Sequence, residues 1–307
     1  MSDTTAPAKR KRYAWVAVLL SLLSAGLGQI YCGKLTRGLL FMCLSALAIP
    51  VTAAMLANDV PAHSFTLAFG GLAGLLGIVV ISAIDAYRLT RRTASDYERK
   101  EYNRLIVYVL LYAMGTGGSL GALLYTRDNL MEAFVVPAAT MCPTIRVGDR
   151  VLGNKTGYDT AHPQRGDIII FRDPEHWRQA RIKRIVAVGG DTVEMKNGRL
   201  IVNSKQLVRH AVREDATDTS VSPGDMYREI NGEAEYRVIQ APKGDPANRD
   251  FDVLTVPPHH CFVLGDNRDA SRDSRAFGTI PLTSIMARAD YLYWPAQGWS
   301  RFGRLNR

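Results

Sequence analysis

The chain has 307 residues, a hydrophobic share of 47% and a formal net charge of +9. That length has room for one or two domains, and nearly all the long apolar runs lie before Tyr125. Basic clusters flank those runs without a stripe interleaved with aromatics, which sets nucleic acid aside in favour of an anionic membrane surface, and Cys32, Cys43, Cys142 and Cys261 lack metal-ligand spacing.

In chain order, residues 13–31 form an apolar run whose second half is crowded by Ser21, Ser24, Gly26, Gly28 and Gln29. Its length would suit a cleavable signal peptide, but further spans follow it, so that reading is rejected. Residues 38–57 and 65–84 are uncharged stretches of 20 residues each, and 105–125 is uncharged over 21. Each is long enough to cross a hydrocarbon core as a helix. Gly115, Gly117, Gly118 and Gly121 lie inside the last run with no strand before them. Close helix packing explains them better than a nucleotide loop.

Charge sets the expected topology. Lys9 to Arg12, then Lys34 and Arg37, then Arg88, Arg91, Arg92, Arg99, Lys100 and Arg104 form three basic clusters, whereas 58–64 has no Lys or Arg. The positive-inside rule puts the three clusters in the cytoplasm and 58–64 outside. Residues 13–31 must then dip in and return, or lie at the interface. Three crossings leave everything after Tyr125 outside the cytoplasm; four would return it inside.

After Leu130 short β-rich runs recur at 134–136, 150–152, 167–171, 182–188, 192–195, 199–202, 236–240 and 261–264, punctuated by turns such as "KNGR" and "GGDT". This predicts an antiparallel β domain with long loops. Residues 210–226 are polar without periodicity and read as an exposed excursion.

Three clusters could carry chemistry: "PAATMCPT" at 137–144, "RGDIIIFRDP" with "IKRIVAVGGDTV" at 165–193, and "VLGDNRDASRDSRAFG" at 263–278. Alone, Thr140 in an extended run has an ordinary structural explanation. Strand alternation puts Ile182, Arg184 and Val186 on one face and Lys183, Ile185 and Ala187 on the other. If the second face is the core, Lys183 loses its water, its pKa falls, and the neutral amine can serve a hydroxyl nucleophile as base. Otherwise its stem snorkels along a half-exposed sheet. In the third cluster, alternating Asp and Arg around Asn267, Ser271 and Ser274 form either a solvated turn or an internal network, which burial makes expensive unless every member is paired.

Together these clusters, in this order, resemble the bacterial type I signal peptidases (leader peptidases) over roughly residues 105–294. That family's nucleophile motif reads Pro-Ser-Gly-Ser-Met-x-Pro-Thr, its lysine sits in a Lys-Arg pair before an apolar strand and a Gly-Asp turn, and its last box is matched by Gly265 to Arg275 at every fixed position. "GLGQIYCGKLTRGLL", before Arg104, looks like a two-helix membrane module sometimes joined to such enzymes.

The resemblance implies a membrane-anchored chain with N-terminal transmembrane α-helices followed by a mostly antiparallel β catalytic domain. The expected parts are a membrane module over 1–104 (a re-entrant or interfacial helix plus two spans), an anchor over 105–130 and an extracytoplasmic β peptidase domain over 131–307, in a bacterial cytoplasmic membrane. It implies Thr140 as nucleophile, Lys183 as general base and Ser271 as the hydroxyl that orients the lysine. Gly265, Asn267, Asp273 and Arg275 would brace the site. The substrate, a preprotein signal peptide with small residues at −1 and −3, would lie extended against the strand ending at Pro137. The implied partners are that peptide and the lipid bilayer; no metal and no cofactor is implied.

Two positions depart from the family pattern. Threonine replaces serine, and its methyl restricts χ1 and crowds attack. Ala138 stands where some members place a hydroxyl near the oxyanion, leaving the Thr140 N–H as main donor. One alternative is a weak or inactive homologue that binds signal peptides or assists another peptidase. The other makes Cys142 the nucleophile, since i and i+2 share a strand face, with His259 or His260 as partner. A buried thiol, or a disulfide with Cys261, is its ordinary role.

Overall fold

The computed structural model describes residues 12–57, 64–92, 101–159, 161–212, 224–241 and 250–305. Lys9, Arg10, Lys11, the 58–63 connection, Arg99 and Lys100, on which the expected topology draws, lie outside the described residues. The chain divides into two units, Met1–Leu130 and Met131–Arg307.

The first unit is helical: α1 (Ala14–Leu23), α2 (Leu27–Tyr31), α3 (Leu35–Ala57), α4 (Ser64–Arg92) and α5 (Leu105–Tyr125). Among the described residues three stretches are long and apolar enough to cross a membrane, Leu35–Ala54, Gly70–Arg92 and Leu105–Leu130. At 1.5 Å per residue α1 is about 15 Å long, half of a ~30 Å hydrocarbon core. It stops because Gly26 turns the chain at φ 109°, where a Cβ would lie 2.1 Å from the Gly38 carbonyl oxygen. The polar residues beyond the turn are satisfied internally. Gln29 donates to the Ser82 carbonyl (2.7 Å) and to Asp85 (3.2 Å), and the Gly26 N–H donates to the Ser82 hydroxyl (3.1 Å). Asp85 in turn pairs with Arg37 at 2.8 Å. Buried polar groups in an apolar helical unit need such partners. The α5 glycines correct an expectation: a Cβ added at Gly115 would meet Met42 and Ser24, while one added at Gly117, Gly118 or Gly121 would meet nothing within 4 Å among the described residues.

The second unit is β-rich, and every described strand ladder is antiparallel. Its main sheet orders β1 (Met131–Val135), β2 (Arg150–Asn154), β14 (Ile285–Trp294), β3 (Ile168–Arg172), β4 (Ala180–Val188), β12 (His260–Leu264) and β13 (Ile280–Pro281), with β15 (Gly303–Arg304) against β14. A four-stranded sheet orders β11 (Phe251–Thr255), β5 (Thr192–Lys196), β6 (Arg199–Val202) and β7 (Lys205–Gln206). A three-stranded sheet orders β10 (Ala234–Gln240), β9 (Asp225–Asn231) and β8 (Val208–Ala211). Ile168, Ile170 and Val151 pack one side of the main sheet; Ile169, Phe171 and Ile185 pack the other.

Three details differ from the sequence reading. Residues 210–226 are not wholly an excursion: His210 and Ala211 end β8, Asp225 and Met226 begin β9, and 213–223 lie outside the described residues. The register of β4 against β12 skips Val186, and this bulge puts Val186 and Ala187 in one cluster instead of leaving Ala187 on the Lys183 face. Finally, Thr140 is not in a strand. β1 stops at Val135, and Ala139–Met141 form a 3-10 turn.

Candidate active site

The first wall is the segment after β1. The Val136 N–H donates to the Asp149 carbonyl and the Gly148 N–H to the Val136 carbonyl, so a tight return fixes where the segment leaves the sheet. Pro137 and Ala138 are exposed, Ala138 extended, and Thr140 is half-buried in the turn that follows. The Ala138 side chain offers no hydrogen-bond donor.

The second wall is β4. Lys183 lies opposite Ile169 of β3 and is 3% exposed. Its Nζ donates to Thr140 Oγ1 at 2.8 Å and to its neighbour's carbonyl, Ile182 O, at 2.9 Å. Burial pushes the amine down from 10.5 to about 8, a shift that the Asp273 carboxylate opposes and the Arg181 charge reinforces. A lysine titrating there is neutral in a substantial fraction of molecules slightly above neutral pH. In that form it can take a proton from the hydroxyl it touches.

Arg184 is buried as well, at 2% exposure, because both faces of β4 are covered. It forms a two-pronged pair with Asp266, Nε to Oδ1 at 2.8 Å and Nη2 to Oδ2 at 2.7 Å, and also donates to the Gly166 carbonyl. Asp266 accepts from the Thr144 hydroxyl at 2.5 Å. One carboxylate thus ties the Lys-Arg strand to the segment carrying Thr140.

The third wall is the loop after β12. Gly265 donates its N–H to Asp273 Oδ2 at 3.0 Å, and Arg275 grips both oxygens of Asp273 at 2.8 Å. Arg275 also donates to the Arg268 carbonyl at 2.6 Å. The loop is therefore an internal network, and it holds the nucleophile segment directly. The Asn267 N–H donates to the Thr140 carbonyl at 3.1 Å, and its side-chain amide to the Ala139 carbonyl at 3.3 Å. Gly265 has to be glycine, since a Cβ would lie 2.2 Å from Ser271 Oγ and 2.5 Å from Thr140 O. Ser271 Oγ is buried without a hydrogen-bond partner, so the structure does not join it to Lys183.

Behind this loop Arg268, 1% exposed, pairs with fully buried Glu229 of β9, which also binds Arg209 of β8. The two arginines hold Glu229 well below the usual carboxylate range despite its burial. No sequence motif marked Glu229. Its signal is only that a carboxylate stands two residues before buried Asn231, on the same face of a strand outside the sequence reading.

The geometry gives the thiol alternative no support. The 3-10 turn ends strand alternation before Cys142, whose thiol packs against Met226 and Ile239 and is pushed up by burial. His260 Nδ1 lies 3.0 Å from the Pro258 carbonyl oxygen. Cys142 and Cys261 are free thiols in different clusters, so the possible disulfide is not formed. Elsewhere Asp173, Glu175 and His176 bring ligand atoms within 4.8 Å of one another, but Asp173 is paired with Arg181 and Glu175 with Arg272.

Comparison with known proteins matches residues 104–294 to the family described as "Signal peptidase, peptidase S26". A signal peptidase I of Aquifex aeolicus is 35% identical over 204 residues, covering 56% of this chain and 79% of the relative. The signal peptidase I of Pseudomonas aeruginosa is 34% identical over 210 residues, covering 60% and 72%. Among solved structures, a signal peptidase I from Enterococcus faecalis is 30% identical with a TM-score of 0.25, covering 41% of this chain and 96% of that one.

Proposed function

The chain belongs to the signal peptidase family, peptidase S26, and from that premise we propose a membrane-bound endopeptidase that removes signal peptides with Thr140 as nucleophile and Lys183 as base. The relatives named signal peptidase I support the hydrolase activity and the preprotein substrate class. The helices long and apolar enough to span a bilayer support membrane attachment, and the basic clusters near their ends favour an extracytoplasmic β domain.

The observation that carries the dyad is the 2.8 Å contact between the buried Lys183 amine and the Thr140 hydroxyl oxygen. The neutral amine takes the hydroxyl proton as Oγ1 attacks the scissile carbonyl, giving a tetrahedral intermediate. The ammonium then returns the proton to the leaving amine as the C–N bond breaks, and water, activated by the same lysine, hydrolyses the acyl-enzyme ester that remains. The Thr140 N–H is the oxyanion donor on this reading, since Ala138 supplies none. Ser271 and the Thr140 carbonyl both flank Gly265, and the Ser271 hydroxyl is unengaged. It is the group suited to take up the amine once Thr140 is acylated. A substrate strand would run along the exposed end of β1 near Val135 and Pro137, with Ala-sized residues at −1 and −3.

The test is cleavage of a preprotein bearing an Ala-x-Ala site by the purified chain in detergent. Wild type and Cys142→Ala should cleave, while Thr140→Ala and Lys183→Ala should not. Cleavage surviving Thr140→Ala would refute the dyad.

A further inference from the structure

Glu229 sits in the middle of β9 at 0% exposure, where a carboxylate is costly unless it is fully paired. Both of its oxygens are engaged. Arg268 donates through Nη1 to Oε1 at 3.1 Å and through Nη2 to Oε2, and Arg209 donates through Nε to Oε1 at 3.0 Å. Apolar residues of similar volume would hold two layers together as well as such a cluster does. What the two-pronged pair adds is direction, because it fixes the planar guanidinium of Arg268 against one strand.

Arg268 is also where β10 meets the loop after β12. Its N–H donates to the Ile239 carbonyl at 2.9 Å, and the Ile239 N–H donates to the Asp266 carbonyl at 2.8 Å. Between them Ile239 and Asn267 form a parallel bridge. Asn267 in turn holds the Ala139–Met141 turn by the Thr140 and Ala139 carbonyls. The same turn rests on the small sheet from its apolar side, since Ala139 and Cys142 pack with Met226 of β9 and Ile239 of β10. The three-stranded sheet thus holds the nucleophile turn twice, by apolar contact and through Arg268.

We infer that Glu229 is a positioning residue for the hydrolytic reaction: through Arg268 it anchors the loop that holds Thr140, and so sets where Thr140 Oγ1 stands relative to the Lys183 amine. The effect on rate rests on the Thr140–Lys183 reading. The anchoring is a property of the fold and is measured without turnover.

Three variants of the full-length protein in a neutral maltoside detergent separate positioning from stability. Glu229→Gln keeps the shape and removes the charge. Glu229→Gln/Arg209→Met removes one cation as well, so the cluster keeps its wild-type net charge while the anchor is weakened; it carries the test should the single variant not fold. Arg209→Met leaves the Glu229–Arg268 pair in place. We expect kcat for preprotein cleavage to fall about 10–100-fold in both Glu229 variants with KM changed less than about threefold, and Arg209→Met to keep wild-type kcat. Hydrogen exchange read by mass spectrometry should quicken about tenfold over residues 140–146, where the Cys142 and Ile145 amides are held by Ala139 and Met141, with β3 unchanged. The inference is overturned if wild type cleaves and the Glu229 variants keep its kcat, or if Arg209→Met loses as much as they do. Exchange that rises equally in β3 overturns it too, since that marks lost stability alone. If wild type does not cleave, the dyad reading fails and exchange decides by itself: a rise confined to the turn and its loop upholds the anchoring, and an unchanged turn overturns it.

Discussion

Lys183 and Thr140, 43 residues apart, meet amine to hydroxyl oxygen at 2.8 Å with the lysine 3% exposed. The contact joins a strand of the main sheet to a 3-10 turn outside it, and the loop after β12 holds that turn by its own carbonyls. A lone Lys–Thr hydrogen bond is unremarkable. What matters is that the amine is dry, and that Arg184 beside it is neutralised by Asp266, leaving the lysine without a dedicated carboxylate in hydrogen-bond contact.

Replacing Thr140 by serine removes one methyl and keeps the nucleophile. Misplacement of about 1 Å can cost roughly 10²-fold in rate, so easing the crowding should leave kcat/KM equal to wild type or up to about tenfold higher. Thr140→Ala should lower it by at least about 10³-fold. Preprotein cleavage kinetics measure both. Activity that appears only in Thr140→Ser would show the wild-type chain to be a binding homologue.

Lys183→Met should abolish cleavage and stabilise the fold. The folded amine titrates near 8 against 10.5 when free. The folded chain therefore binds fewer protons between those values. Stability rises with pH across that window, and the whole penalty is present below about 8. At pH 7 removing the buried charge should add about 1–3 kcal/mol. Denaturant unfolding reads this, and a destabilised Lys183→Met would mean that the lysine is structural.

Gly265→Ala places a methyl 2.2 Å from Ser271 Oγ and 2.5 Å from the Thr140 carbonyl oxygen. The loop must shift, at a cost of about 1–3 kcal/mol. Because Asn267 in that loop holds Thr140, kcat should fall by about 10²-fold with KM changing less. Steady-state kinetics on the folded variant separate the two.

Asp266→Ala strips the counter-charge from buried Arg184 and the acceptor from Thr144. Leaving one member of a buried pair alone typically costs about 3–5 kcal/mol. The Arg184→Met/Asp266→Leu double variant should recover part of that loss, and a double-mutant cycle in urea measures how much.

The sequence reading located the three segments that converge, because their chemistry is concentrated in short motifs with turns and apolar flanks. It missed what closes them. β14 carries Arg288 and Asp290 two residues apart, which hides a ten-residue central strand from any alternation rule; in the fold they pair with each other at 2.6 Å, and Asp290 accepts from Asn154. Glu229 escaped for a similar reason, since its partners Arg209 and Arg268 are 20 and 39 residues away. The Val186 bulge and the turn at Thr140 are tertiary adjustments that a period of two cannot carry. The family resemblance assigns the Ser271 hydroxyl to the lysine; in the structure that hydroxyl is buried without a hydrogen-bond partner, while the amine rests on Thr140.

The most direct measurement is kcat/KM for preprotein cleavage as a function of pH. Only the neutral amine accepts the Thr140 proton, so the rate should climb through an inflection near 8 and level off above it. An inflection near 10.5, the value of a hydrated lysine, or a rate that does not change between pH 7 and 9, would contradict a desolvated Lys183 acting as the base.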